Sequence, residues 1–333
     1  MKILIDSHIP FIDGILEPYM LVEYLEPYEF TRERVRSADA LLIRTRTKCD
    51  KSLLEGSSVR FIASATIGMD HIDTSYCRSH GIFATNAPGC NAQGVCDYVE
   101  SAIKVVAANR LRCENLVLGV VGVGHVGRLV AQMGHTIGMN VLLSDPPLAE
   151  AMRVDEICKL ESILGGKFTD ISELIRQADI ITFHTPLSRA GAYPTWHLCD
   201  SRMLSECKDN VIIINAARGG VVDEESALDE SNSEKTFVVD TWEGEPLISP
   251  FMLNRAAIAT PHIAGYTLQG KINATNMCLS AISRFFKLPN LSIPSESLPL
   301  HFPPTDNWIL ADDRRLRLNP ENFEKLRENY QLR

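Results

Sequence analysis

The sequence predicts an α/β protein built on doubly wound parallel sheets, and three observations predict it. Short apolar runs closed by polar residues alternate with helical stretches along most of the chain. A G-x-G-x-x-G motif lies between one such run and a helix. The length of 333 residues suits two domains, perhaps with a small appendage.

The elements follow in order. Lys2 to Asp6, Ala40 to Arg44 and Arg60 to Ala65 read as buried parallel strands, being short, apolar and closed by polar residues. Thr31 to Ala38 and Lys51 to Leu54 can serve as crossover helices between them. Ile82 to Thr85 is a fourth short strand, followed by a break at Pro88-Gly89. From Ala92 to Asn109 the pattern turns helical, with Val95, Val99, Ala102, Ile103 and Val106 recurring at three to four residues. A second series runs through Leu116–Val121, Asn140–Ser144, Ile180–His184, Val211–Asn215, Thr236–Asp240 and Ala257–Thr260. A helix from about Gln269 to Lys287 comes next. Pro289, Pro294, Pro299, Pro303 and Pro304 then exclude regular helix and predict a linker or surface-hugging arm. Asn319-Pro320 reads as an N-cap with proline at the first helical position, opening a short terminal helix.

Composition narrows the function classes. Lys+Arg 33 against Asp+Glu 42 gives a net charge of −9, which argues against general affinity for nucleic acid or anionic membranes. An anionic substrate must therefore be caught by a local cluster of Arg and Lys. The nine cysteines are scattered without a C-x-x-C, so neither a disulfide framework nor metal-ligand spacing is expected, and no metal. Reduced thiols fit a cytoplasmic protein. No apolar run approaches the ~18 residues of a membrane span. Met1 to Pro10 reads as a strand rather than a signal peptide, because Asp6 and His8 break its apolar run.

Gly122-Val123-Gly124-His125-Val126-Gly127 has the context that a dinucleotide fingerprint requires, an apolar strand before it and a helix after it. Gly122 permits the tight turn, Gly124 lets the backbone approach a pyrophosphate, and Gly127 allows close packing of helix on sheet. The helix N-terminus then offers unpaired N–H groups to the phosphates. Asp145 ends the next strand, 18 residues after Gly127, where a carboxylate accepts hydrogen bonds from the ribose of NAD. It would repel the 2′-phosphate of NADP, and Pro146-Pro147 follow rather than an Arg.

Three further signals sit at strand ends. Asn215-Ala216-Ala217-Arg218-Gly219-Gly220 can present a guanidinium to a carboxylate. Thr241-Trp242-Glu243-Gly244-Glu245-Pro246 and Pro261-His262-Ile263-Ala264-Gly265-Tyr266 supply a carboxylate and a histidine, an acid/base unit in which the carboxylate fixes the tautomer. Each also has a plainer reading: Arg218 as a turn cap, Glu245 as a solvated loop acid, His262 as a structural histidine. Their coincidence after a nucleotide fingerprint favours chemistry.

The run from that fingerprint through His184-Thr185-Pro186-Leu187 to these three motifs resembles the D-isomer-specific 2-hydroxyacid dehydrogenase family over roughly residues 1 to 287. The resemblance implies Arg218 on the substrate carboxylate, His262 as acid/base and Glu245 as its partner. It implies NAD as cofactor and two Rossmann-like or flavodoxin-like domains with the active site in the cleft between them. Their boundaries would be 1–92 with 264–288 for the substrate domain and 93–263 for the NAD domain. Residues 289–333 would form a C-terminal arm, a reduced dimerisation region of a homodimer. Apolar residues there (Leu291, Ile293, Leu298, Leu300, Phe302, Trp308, Ile309 and Leu310) motivate the dimer, with packing on the chain's own body as the alternative.

Finer features narrow the resemblance to a branch acting on a phosphorylated four-carbon 2-hydroxy acid in pyridoxal phosphate synthesis. They include Ile43-Arg44-Thr45-Arg46-Thr47-Lys48, Ala65-Thr66-Ile67-Gly68-Met69-Asp70-His71 and Asn86-Ala87-Pro88-Gly89-Cys90-Asn91. That branch implies substrate contacts at Thr45, Thr66 and Tyr266. It implies cofactor contacts at Asp145, Thr185, Ala216, Ala217, Arg218, Asp240 and Gly265, beside Gly122 to Gly127. Arg44 and Arg46 follow a strand and could catch a phosphate; in an extended segment they would share a side, with Thr45 opposite. The rival readings are another 2-hydroxyacid dehydrogenase, such as one acting on 3-phosphoglycerate, and an NAD(H)-sensing corepressor.

Overall fold

The computed structural model describes residues 1–108, 115–294, 298 and 307–333. They form two compact units. The first holds Met1–Asn91, the described part of Tyr266–Phe302, and Arg333; the second holds Ala92–Gly265 and the described part of Pro303–Leu332.

The first unit carries β1 Lys2–Asp6, β2 Leu21–Leu25, β3 Ala40–Ile43, β4 Phe61–Ser64 and β5 Phe83–Thr85. They make a parallel sheet of order β2-β1-β3-β4-β5. β3 and β4 are buried at every residue, which is why they read as unbroken apolar runs. Alternation along the strands fills two layers. Ile3, Ile5, Leu42 and Ala63 face one core with Ile272, Leu279 and Ile282 of the helix Leu268–Phe286. Leu4, Leu41 and Ile62 face the other. β2 escapes sequence reading because it is an edge strand, buried only at its last residue, and Glu23 breaks its apolar run.

The second unit carries β6 Val117–Val121, β7 Asn140–Ser144, β8 Gly166–Phe168, β9 Ile180–Phe183, β10 Ile212–Asn215, β11 Thr236–Val239 and β12 Ile258–Ala259. Their order is β12-β11-β10-β9-β6-β7-β8, again parallel throughout. The three-residue edge strand β8 is likewise invisible in the sequence. The strand order reverses between β6 and β9 here, and between β1 and β3 in the first unit. In open α/β sheets the loops at such reversals, beyond the strands' carboxyl ends, are where ligands bind.

Of the proline-rich stretch expected as a linker or surface-hugging arm, Pro299, Pro303 and Pro304 lie outside the described residues. Past Pro304 the chain has no proline or glycine until Pro320, and it forms the helix Trp308–Leu318, then Phe323–Glu328. Ile309, Leu316 and Phe323 are 0%, 0% and 1% exposed. Asp313 accepts the N–H of Ala259 on the edge strand β12 at 2.8 Å. Arg317 donates to the carbonyls of Leu253 and Ala256, each at 2.6 Å. The helix thus covers an edge that would otherwise expose unpaired backbone groups. Ile293 is buried in the first unit's core. Much of the apolar content of this segment is therefore spent inside the chain; Leu300 and Phe302 lie outside the described residues.

Phe323→Ala is expected to cost ~3–5 kcal/mol, as for a buried aromatic truncated in a packed core. Urea unfolding followed by fluorescence measures it, and a loss under about 1 kcal/mol would show that the helix is not part of the core.

Candidate active site

At the reversal in the second unit, β6 runs into the glycine fingerprint. Gly122 has φ +92°, and a Cβ there would lie 2.7 Å from the carbonyl oxygen of His184. A Cβ on Gly127 would lie 1.9 Å from the carbonyl oxygen of Gly122, so both positions require glycine for fit. Gly124 differs: a Cβ there meets nothing within 4 Å and would project into open space. It is also the N-cap of the helix His125–Thr136, with no side chain capping that helix, so the leading N–H groups stay available. Asp145, after β7, accepts the N–H of Val123 at 2.8 Å and that of Leu148 at 3.0 Å, which fixes its carboxylate beside the fingerprint. Thr185, after β9, buries a hydroxyl that has no partner among the described residues. Burial pushes the neighbouring His184 down to about 3, so this ring is neutral, and its Nε2 faces the Thr182 hydroxyl at 3.0 Å. An orphaned hydroxyl, an open backbone face and an uncapped helix end fit a bound dinucleotide.

Three loops, after β10, β11 and β12, are tied together next to this reversal. The Asn215 side-chain amide donates to the carbonyls of Arg218 (3.0 Å) and Thr241 (3.3 Å), and its oxygen accepts the N–H of Ala217 at 3.2 Å. Gly219 passes so close to the next loop that a Cβ would lie 1.8 Å from the carbonyl oxygen of Trp242. The buried Trp242 indole donates to the carbonyl of Thr260 at 2.9 Å. The Arg218 guanidinium donates to the Ala217 carbonyl at 2.8 Å, which holds its head at the end of β10. Ala216 and Ala217 are buried there.

Within this frame His262 meets Glu245: Nδ1 lies 2.8 Å from Oε2. The other carboxylate oxygen accepts the N–H of Trp242 at 2.8 Å. Burial alone would raise the Glu245 carboxyl, but the hydrogen bond and charge of His262, the Trp242 N–H and the charge of Arg327 together hold it below the usual carboxylate range. The stability this pairing supplies is present above the ordinary carboxylate pKa and is lost as pH falls through the lowered value. With Nδ1 donating to Glu245, the Nε2 of His262 is left to accept a proton.

His262 itself sits at φ +55°, a left-handed backbone that costs a side-chain-bearing residue ~1–3 kcal/mol. Asp240 holds it there. Its carboxylate is 1% exposed and accepts the Thr260 hydroxyl (2.6 Å), the Ile263 N–H (2.8 Å) and the Ala264 N–H (3.0 Å). Burial raises its carboxyl, against the lowering charge of His262 and these three bonds. Asp240, expected as a cofactor contact, thus has its carboxylate bonded to the loop that carries His262. Gly265 lies on the same loop, where the second unit's first segment ends. Nearby, His197 meets Glu243 at 2.9 Å, and with Asp223 their ligand-type atoms fall within 4.8 Å. Glu224 accepts the Glu243 N–H at 2.9 Å. These bonds anchor the segment that ends in Glu245. Asn215, Trp242, Asp240 in this role, and Arg327 were not legible as site residues; Asn215 and Trp242 had a signal, their places inside the Arg218 and Glu245 motifs.

In the first unit the expected substrate residues lie at the carboxyl ends of β3 and β4, with Tyr266 just before the helix Leu268–Phe286. Arg44 donates to the fully buried Asp6 at the end of β1, Nε to Oδ2 at 3.2 Å. The chain turns at once after β3, with the Thr47 N–H bonded to the Arg44 carbonyl at 3.3 Å. The alternation expected to put Arg44 and Arg46 on one side therefore does not apply. Thr45 and Arg46 are exposed on that turn. Thr66 shares a 2.7 Å hydrogen bond with Ser64, whose hydroxyl also meets His71 at 3.1 Å. Tyr266 carries the Lys271 ammonium 4.6 Å from its ring centre.

Residues 102–264 match the model of the D-isomer specific 2-hydroxyacid dehydrogenase NAD binding domain. The whole chain aligns at 41% identity with 97% of an erythronate-4-phosphate dehydrogenase of Bacteroides fragilis. It is 38% identical, over 99% of its own length and 92% of the relative's, to one of Porphyromonas gingivalis. Among solved structures, a D-lactate dehydrogenase of Aquifex aeolicus complexed with NAD and lactic acid superposes with TM-score 0.69 at 24% identity, covering 86% of this chain and 95% of that one.

Two glycine substitutions separate binding from folding. Gly124→Ala is expected to change stability by no more than about 1 kcal/mol, an N-cap effect, while weakening NADH binding, because its methyl fills the open face. Gly219→Ala meets rigid backbone and is expected to cost ~1–3 kcal/mol together with turnover. Fluorescence titration with NADH and urea midpoints check both; intact NADH affinity in Gly124→Ala would remove the pyrophosphate from this loop.

Proposed function

The chain belongs to the D-isomer specific 2-hydroxyacid dehydrogenases, in the branch of the erythronate-4-phosphate dehydrogenases, and from there we propose that it oxidises 4-phospho-D-erythronate to 2-oxo-3-hydroxy-4-phosphobutanoate, a step of pyridoxal 5′-phosphate biosynthesis. It is an NAD-dependent oxidoreductase. The observation that carries the chemistry is the 2.8 Å contact between His262 Nδ1 and Glu245 Oε2 at the end of the dinucleotide-binding sheet.

NAD, when bound, accepts the hydride that leaves C2 of the hydroxy acid. His262 takes the hydroxyl proton on Nε2, and Glu245 stabilises the resulting imidazolium. Arg218 orients the substrate carboxylate and polarises the developing carbonyl. Gly124, His125, Val126 and Gly127 would receive the pyrophosphate with backbone N–H groups, presented by the turn at Gly122, whose own N–H goes to the Ser144 carbonyl at 2.8 Å. Thr185, Ala216, Ala217 and Gly265 would line the rest of the cofactor. Asp145 reads the ribose and repels a 2′-phosphate. We assign the substrate phosphate to the first unit, to Arg44, Thr45, Arg46, Thr66 and Tyr266. Arg46 is the probe of that assignment, because removing Arg44 would also take the guanidinium away from the buried carboxylate of Asp6.

No described helix is long and apolar enough to cross a membrane, and we place the protein in the cytoplasm on the strength of the free thiols among the described residues. We further propose a homodimer in which Leu310 and Leu318, exposed on the helix Trp308–Leu318, take part. Light scattering on the full chain tests it, and a monomer at assay concentration sinks it.

NADH formation from 4-phosphoerythronate, erythronate and 3-phosphoglycerate, each offered with NAD and with NADP, tests the activity. A charge-assisted phosphate contact is worth ~1.5–3 kcal/mol, so the phosphorylated acid is expected to lead plain erythronate by ~10–100-fold in kcat/KM. Arg46→Ala should erase most of that lead. Equal turnover of erythronate, or a preference for 3-phosphoglycerate, returns the assignment to the general family.

A further inference from the structure

The helix Phe323–Glu328 places an arginine beside the catalytic pair, although nothing in its sequence announces a site. Arg327 Nη1 lies 4.0 Å from Glu245 Oε2, the same oxygen that His262 Nδ1 approaches to 2.8 Å. The other oxygen of Glu245 is taken by the Trp242 N–H. The side chains of Arg327, Glu245 and His262 are 23%, 18% and 27% exposed, so solvent screens their interaction only in part.

We propose that Arg327 is a positioning residue of the acid/base unit, a third member that shares Glu245 Oε2 with His262. This rests on the reading of His262 as the acid/base. In a two-membered pair the carboxylate's whole charge favours imidazolium, which suits carbonyl reduction but makes His262 a reluctant base. A guanidinium on the same oxygen draws off part of that charge, and His262 then sheds its proton at lower pH, as oxidation of a hydroxyl requires. The guanidinium also keeps Glu245 ionised, so that the carboxylate fixes the ring's tautomer across the working range. Because Arg327 belongs to a helix whose Phe323 is buried in the second unit's core, its charge is held in place by packing.

Other charged groups stand around this unit, among them Arg218 at the end of β10. Glu324, one turn before Arg327, lies 3.6 Å from the same Nη1 and competes with Glu245 for it. Asp240 faces the loop of His262, and its carboxylate feels the His262 charge. Glu224 and Glu243 lie on the Glu245 side, with Glu243 held by His197. None of these changes in the variants below except Glu324.

The test is the titration of His262 followed by NMR on the cofactor-free full chain, in the parent and in Arg327→Gln, Arg327→Lys and Glu324→Gln. It needs no turnover, so a wrong substrate would show as absent NADH formation and leave this result untouched. Arg327→Gln is expected to raise the His262 midpoint by ~0.5–1 pH unit, and Arg327→Lys to return it most of the way. Glu324→Gln, which removes a carboxylate that competes with Glu245 for Arg327, is expected to lower it, and gives the answer if Arg327→Gln does not fold. In assays of the oxidation direction, the acid limb of kcat should move up in Arg327→Gln by the same amount, since His262 must be neutral to act as base. An unmoved midpoint in folded Arg327→Gln, or in Glu324→Gln, overturns the proposal.

Discussion

Everything at the catalytic end of the second unit hangs on the buried carboxylate of Asp240. It accepts a hydroxyl from Thr260 and two backbone N–H groups from the residues just after His262, and so holds His262 at a positive φ that it would not adopt alone. Tyr98, at the other side of the Thr260 hydroxyl, extends the same buried chain of bonds into the helix Ala92–Val106. A fully satisfied polar network inside a low-dielectric core is stiff, because each broken bond would leave an unpaired buried group. That stiffness holds His262, the proposed acid/base, at a fixed distance from Glu245.

The two sheets solve one problem with two strand orders. In each unit the order reverses once, and at each reversal a polar group stands at the carboxyl end of a strand. In the second unit these are the fingerprint glycines after β6 and the unpartnered Thr185 hydroxyl after β9. In the first they are Asp6 after β1 and Arg44 after β3, paired with each other at 3.2 Å. A buried carboxylate is tolerable only with such a partner, and so Arg44 has a structural duty whatever it does for substrate.

Local electrostatics make the site, against a net charge of −9 for the whole chain. Arg218 is fixed at the end of β10 by its neighbour's carbonyl, and Arg327 is brought in by a helix from the far end of the sequence. Both positive charges are placed by backbone that is itself locked, by Asn215 and Gly219 in one case and by the burial of Phe323 in the other. The field that an anionic acid meets is therefore set by a few held side chains and hardly by composition.

The α/β class, the central strands and the fingerprint were legible from the residues alone, and so was the candidacy of Arg218, Glu245 and His262. The physical reason is that each is a local signal: buried parallel strands must be apolar throughout, and a phosphate loop must be glycine where backbone crosses backbone. The edge strands β2 and β8 were silent because an edge relaxes the demand for apolar residues. The helix Trp308–Leu318 was hidden by the prolines before it, although Ile309 and Leu316, seven residues apart, mark its buried face. Only tertiary structure decided that Asp240 serves the His262 loop, that Arg44 belongs to Asp6, and that Arg327 reaches Glu245. Those facts depend on which distant segments are packed together, and no periodicity or spacing along the chain encodes a contact between residues 245 and 327.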